Sequence, residues 1–389
     1  MRNSTALSAL LASAFALGTL AACSTDKEPA AKPATATIEI REGTVSAQLK
    51  EKELTATELT KALPKDTVVT AGENSLIELS WSDGSITRLG SQGSMKVGEG
   101  KNRGQLLTGQ SWHLVSTKGS GNYNLTLGDG SKVTTSGTNF ITDCDAAGKD
   151  CNVFLLDGNL SAAGKKLTPK TWTTVKGGKA GAVNPLTWTD VASTEFAKKN
   201  SALDGDKGTS LEELYKDADP ALASLTGNYK GKITATSADC LKGDCSPANL
   251  PKKGEVGDRT YSFEISCGKR LPCTGKSNTS WSELSTGKVK KSLVPLAFDG
   301  TTYSWTLKLS GPLCVWTDGK EEGKFSNPIT WNAKPTKAAF VNGDFVVTQI
   351  TGTATASSSV AKPVSSTECK PWEFAWKSDS TFTATRQAK

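Results

Sequence analysis

Ile77-Glu78-Leu79-Ser80-Trp81-Ser82-Asp83-Gly84-Ser85, followed by Ile86 and Leu89, sets the fold class of this chain. Apolar and polar residues alternate from Ile77 to Trp81, the period of a strand with one buried face. Asp83-Gly84 then offers a tight turn, because glycine accepts the positive φ such turns require. The device returns downstream. Leu125-Thr126-Leu127 leads through Asp129-Gly130 to Lys132-Val133-Thr134-Thr135, and Val153-Phe154-Leu155-Leu156 leads to Asp157-Gly158. Short strands punctuated in this way predict a mainly β fold, built as a meander, sandwich or β-stack.

A second set of strands begins at Leu225. Gly227–Thr236 reads as one strand, and Tyr261, Phe263, Ile265 and Cys267 share a face at period two. Tyr303, Trp305, Leu307 and Leu309 do the same after Asp299-Gly300, and Asn342-Gly343 precedes Phe345-Val346-Val347. Trp372, Phe374 and Trp376 alternate near the C-terminus, with Phe382 on a last strand. This predicts a small antiparallel barrel or sandwich over 225–389. The intervening residues 179–224 lack alternation. Ser210-Leu211-Glu212-Glu213 is a capping-box pattern opening a short helix through Tyr215, and Pro220 ends it. The expectation is two antiparallel or meander β domains, 37–178 and 225–389, joined by a linker with short helices.

The N-terminus carries a separate signal. Arg2 precedes an uncharged apolar run from Ala6 to Leu20, the layout of a secretory signal and too short for a permanent bilayer span. Leu20-Ala21-Ala22-Cys23 resembles the lipobox of bacterial lipoproteins. The resemblance implies a signal peptide over 1–22, lipidation at Cys23, and a protein held outside the cytoplasm on a membrane face. Two or more acyl chains anchor stably, since each buried methylene contributes about 0.8 kcal/mol. Residues 23–36, rich in Pro, Ala and charge, read as a flexible stalk.

Within 37–178 the order of motifs resembles the FecR-like domain. The matching pieces are Gly43-Thr44-Val45, Lys65-Asp66-Thr67-Val68-Val69-Thr70, the Ile77–Ser85 block, Gly104-Gln105-Leu106-Leu107-Thr108-Gly109, Ser136-Gly137-Thr138-Asn139-Phe140 and Leu156-Asp157-Gly158-Asn159-Leu160. The resemblance implies an extracytoplasmic all-β module that binds or senses other envelope components, and it brings no catalytic residues. No family is assigned to the second half.

Composition narrows the function. A net charge of +7 from 46 basic and 39 acidic residues, with no basic block, gives nucleic-acid binding no support. Nine cysteines less Cys23 leave an even set in an oxidising compartment, which points to structural disulfides. Of about a hundred possible pairings, proximity favours Cys144–Cys151, Cys240–Cys245 and Cys267–Cys273, leaving Cys314–Cys369. With no Cys-x-x-Cys and a single histidine, His113, zinc is not expected, and no cofactor is implied. His113 sits in a strand-like run and reads as a surface residue. The aspartates of Asp143–Cys151 and the Asp204–Gly208 segment evoke calcium loops, but lack the EF-hand spacing and read as a hairpin tip and a linker. Most tryptophans fit a β core, with Trp112, Trp281 and Trp316 left as candidates for exposed contacts. Three functions stay open. They are a non-enzymatic lipoprotein binding an envelope protein or glycan, a FecR-like signalling accessory to a membrane partner, and a glycan hydrolase using two carboxylates.

Overall fold

The computed structural model describes residues 34–388 apart from 118–122, 193, 206–209, 244–249, 265–275, 283–288, 312–313, 316–320 and 363–373. The fold is mainly β, as the alternation predicts, with two large sheets and a few short helices.

The first sheet opens with β1 (Ala36–Glu42), β2 (Val45–Leu49), β3 (Lys52–Glu53), β4 (Thr67–Ala71), β5 (Leu76–Trp81) and β6 (Ile86–Leu89). The capped turn α1 (Ala56–Leu59) follows β3, with Thr55 and Glu58 forming a capping box. The sheet continues through β7 (Ser94–Glu99), β8 (Asn102–Leu114), β9 (Tyr123–Thr126), β10 (Lys132–Cys144) and β11 (Asp150–Ala162). β12 (Lys165–Leu167), β13 (Thr171–Lys176), β14 (Lys179–Ala180) and β15 (Asn184–Pro185) complete it. All pairings are antiparallel except β8 with β9.

Side-chain alternation gives this sheet two buried faces. Ile77, Leu79, Leu89, Val153 and Leu155 enter one core, where each fully buried side chain contributes about 1.5–3 kcal/mol. The opposite face carries a continuous cross-strand row. Glu78 lies opposite Arg88, Arg88 opposite Trp112, Trp112 opposite Ile141, Ile141 opposite Phe154, and Phe154 opposite Trp172. The Asp-Gly signals divide. At Asp83-Gly84 and Asp129-Gly130 the glycine has φ of +83° and +88°, and each aspartate accepts from the backbone N–H two residues on. Asp157-Gly158 instead lies inside β11, where Gly158 packs against Gly137 across a bulge and no turn forms.

Helices α2 (Trp188–Ala192), α3 (Glu195–Asp204) and α4 (Leu211–Tyr215) follow, with a 3-10 turn at Pro220–Leu222. Ser210 caps α4 by accepting from the Glu213 N–H, as the capping pattern predicts. These helices are built into the protein's interior. Trp188, Val191, Ala197, Leu211 and Tyr215 share one core with Trp112, Ile141 and Phe154 of the first sheet and Tyr303, Phe345 and Phe382 of the second. Residues 33–389 form one compact unit, and the boundaries expected near 178 and 225 fall inside it.

The second sheet contains β16 (Gly227–Gly243) and β17 (Val256–Phe263), then β20 (Ala297–Phe298) and β21 (Tyr303–Gly311); β18 (Lys276–Ser282) with β19 (Val289–Pro295), and β22 (Cys314–Val315) with β23 (Glu321–Glu322), form separate two-stranded sheets. The long strands β24 (Lys324–Val341), β25 (Asp344–Lys362) and β26 (Phe374–Arg386) finish it. The order is β17-β16-β26-β25-β24-β21-β20, antiparallel throughout, and it does not close into a barrel. Asn342 and Gly343, both at positive φ, make the tight turn between β24 and β25.

Candidate functional site

The inner face of the second sheet changes character along its strands. Near the helices it carries Tyr229, Ile350, Phe382, Ala333 and Tyr303, all in the shared core. One step further, Trp305, Trp331, Ala354, Ser380 and Ala235 stand in register across β21, β24, β25, β26 and β16. Aromatic bulk ends abruptly at Trp331, and the next three strands carry only small side chains. The result is a groove of about 230 Å³.

Its geometry follows from that row. The Trp331 indole stacks on Trp305, with centroids 5.7 Å apart and planes 9° apart, so its other face borders the space above Ala354. Ala354, Ala356, Ser378, Ser380 and Ala235 form the floor. Ile233, Pro251, Glu255 and Arg259 form the far wall. From Trp331 to Ala235 the row crosses three strand spacings, or about 14 Å. Arg259 belongs to the inner face of β17 with Tyr261 and Phe263. Its guanidinium folds over Gly257 toward Ile233, and a Cβ at Gly257 would sit 3.5 Å from Nη1. The Asp258 carbonyl accepts from Nη1 at 2.9 Å, and among the described residues no carboxylate pairs with this cation. Glu255 is exposed and its carboxylate accepts from the Lys252 N–H at 2.8 Å. Among the described residues the buried Tyr261 hydroxyl has no hydrogen-bond partner; burial pushes its pKa well up, against the charge of Arg259.

A second concavity, of about 360 Å³, lies over β10, β11 and β12 and is lined by Thr134–Ser136, Asn159–Ser161, Lys166 and Leu167. Its hydroxyls are partly committed, since Thr135 donates to the Asn159 carbonyl. It has no aromatic wall.

Two polar groups in the protein interior serve the fold. Arg88 reaches Glu78 at 2.7 Å and Asp204 of α3 at 2.8 Å, and all three side chains are nearly inaccessible. Asp204 also accepts from Trp112 Nε1 at 2.8 Å, and Glu78 from Arg41 at 2.8 Å. Burial raises the Glu78 pKa, but the hydrogen bonds from Arg41 and Arg88 outweigh it and hold the group below its usual value. This cluster corrects the reading of Trp112, which is fully buried and makes no exposed contact. His113 is corrected likewise. It is fully buried, with Nε2 2.7 Å from Ser111 Oγ, Nδ1 2.8 Å from Tyr123 Oη, and its ring stacked on Phe140. Burial pushes its pKa down to about 3.

Cys144 and Cys151 are directly opposed at the end of the β10–β11 hairpin and form a disulfide. The Asp145 carboxylate caps the tip by accepting from the Lys149 and Asp150 N–H groups. Among the described residues no acidic, Cys or His cluster of metal-binding size occurs. Cys240 is disulfide-bonded. Cys23, Cys245, Cys267, Cys273 and Cys369 lie outside the described residues, as do Trp316 and Trp372, and Cys314 and Trp281 are placed by backbone alone, on β22 and β18. The groove was missed in the sequence because the aromatic pattern reads alike for a core and a platform. Its available signal was the small-residue run Gly352-Thr353-Ala354-Thr355-Ala356 beside Ser378-Asp379-Ser380.

No protein-family model and no curated protein matches the chain. Two crystal structures of a proposed anti-sigma factor from Parabacteroides distasonis ATCC 8503, at 1.65 and 2.50 Å resolution, share 12% identity with it at a TM-score of 0.27. The matches cover 36% of this chain and 65% and 64% of those chains. At that similarity neither structure informs the function of this protein.

Proposed function

We propose that this chain is an extracytoplasmic lipoprotein, anchored through Cys23, that binds a glycan of the cell envelope without acting on it. The observation that carries the reading is the groove on the second sheet. A half-buried indole walls a floor of small residues, with serine hydroxyls and a guanidinium within reach. Aromatic faces stack on the apolar faces of sugars while polar groups at the rim fix orientation. A sensing accessory is the second reading. It is favoured by the core that the helices share with both sheets, which gives an event at the second sheet a packed route to the FecR-like half.

The test is a glycan array probed with the purified chain from residue 24 onward. Retention on envelope polysaccharides, lost in Trp331→Ala, is the expected result. Silence on the array, together with capture of one protein from crosslinked envelopes, refutes glycan binding. Cys23→Ala should abolish fatty-acid labelling; labelling equal to the parent refutes the anchor.

A further inference from the structure

The cation in the groove narrows the ligand class, on the proposed reading that the groove holds a glycan. Arg259 is half-buried on the otherwise apolar inner face of its strand. Its one hydrogen bond among the described residues goes to the Asp258 carbonyl. Most of a guanidinium's five donors are therefore uncommitted, in a setting less screened than open surface. A planar fork of this kind matches a carboxylate through two parallel hydrogen bonds, a geometry a neutral hydroxyl does not reproduce. The one acidic group in the lining, Glu255, is exposed and held by the Lys252 N–H, so water screens its repulsion of an anion.

The dimensions fix the rest. A volume of about 230 Å³ lies below the roughly 300–1,000 Å³ typical of drug-sized ligands, which leaves room for a single small ring. Trp331 presents one indole face to that space and rests the other on Trp305, so the wall is stiff before any ligand arrives. Ser378 and Ser380 on β26 are placed to meet ring hydroxyls from below.

We infer that the groove takes one hexuronic-acid ring, stacked on Trp331 with its carboxylate on Arg259, and so selects acidic over neutral saccharides. The experiment is saturation-transfer NMR on the purified chain, with methyl glucuronide and methyl glucoside as probes and Trp331→Phe, Trp331→Ala and Arg259→Gln as variants. The parent should bind the glucuronide at least about tenfold more tightly, the ratio that corresponds to about 1.4 kcal/mol. Arg259→Gln should bring the two probes within about twofold of each other, a loss that one charge-assisted pair accounts for. Trp331→Ala should lose both probes, while Trp331→Phe retains most of the binding and shows that the loss is not unfolding. Equal binding of the two probes by the parent overturns the acidic selectivity and leaves glycan binding standing. Binding of the glucuronide that Trp331→Ala leaves unchanged overturns the site. Absence of binding by either probe, with a silent glycan array, overturns the glycan reading itself.

Discussion

Removing Arg88 is the sharpest test of how the helical segment is held. Arg88→Met keeps the length and apolar stem of the side chain but deletes the charge between Glu78 and Asp204. Those carboxylates have side-chain exposures of 4% and 0%, and Arg88 itself 2%, so water does not replace the lost partner. Breaking a buried ion pair from one side costs about 3–5 kcal/mol, because the remaining charge stays desolvated. Unfolding entropy of about 2.1 cal/mol/K per residue, over a compact unit of about 350 residues, comes to about 0.7 kcal/mol/K. The expected fall in melting temperature is therefore about 4–7 °C. Scanning calorimetry at pH 7 measures it directly. Replacing Glu78 and Asp204 by leucine in the same variant should restore only part of the loss, since it removes both desolvated charges but leaves the buried Trp112 Nε1 without its acceptor, at about 1–3 kcal/mol. A single variant that melts within about 1 °C of the parent would falsify the reasoning, because a shift that small corresponds to under about 1 kcal/mol.

Three further expectations follow from the interior. His113 is neutral in the fold with a pKa of about 3, whereas an unfolded histidine titrates near 6.5, so the unfolded chain takes the proton first and stability falls with pH below about 6.5, by up to about 1.4 kcal/mol per unit. Urea melts of His113→Gln between pH 6.5 and 5 should show a flatter dependence than the parent; an unchanged slope contradicts it. Changing both Cys144 and Cys151 to serine should cost about 2–3 kcal/mol for so short a closed loop, read as a lowered urea midpoint, and an equal midpoint contradicts it. Residues 225–389 alone should bind a hydrophobic dye, because Phe340 and Phe345 pack on Trp188 and Phe345 also on Tyr215, and adding 183–224 should suppress the binding; a dye-silent, monomeric 225–389 would show two independent folding units.

The strands were legible because alternation is a local property. Ile77–Trp81 and Tyr303–Leu307 each show in a few residues which side is buried, and the structure places them so. The turn at Asn342-Gly343 was legible for the same reason, while Asp157-Gly158 was not, since a glycine at positive φ serves a bulge as well as a turn. The short helices of 179–224 were legible, but their burial was not, because their apolar residues are few. Trp188 and Phe196 look isolated in sequence, yet each meets partners far away in the chain, Phe340 and Phe345 for Trp188 and Gly90 for Phe196. Arg88, Glu78 and Asp204 were invisible as a group. On strands, one charged residue among apolar ones reads as the wet face, and only the cross-strand register with the packing of α3 shows that this face is covered. The groove depends on what stands beside Trp331 on the neighbouring strands, which no single stretch reveals.

The position of β26 has a consequence for when the protein becomes competent. The strand nearest the C-terminus lies in the middle of the second sheet, paired to β16 on one side and β25 on the other. Ile233 meets Phe382, so the first and last strands of this sheet join only after the whole intervening chain is present. Contacts of such separation form late and slowly. Until they form, β16 and β25 each present an open edge able to pair with other chains. Ser378 and Ser380 belong to that same strand, so the groove's floor is laid down last. A chain clipped ahead of Phe374 would keep every strand of the first sheet yet lack the floor of the groove. An intact groove would thus report that the chain is present through its last strand.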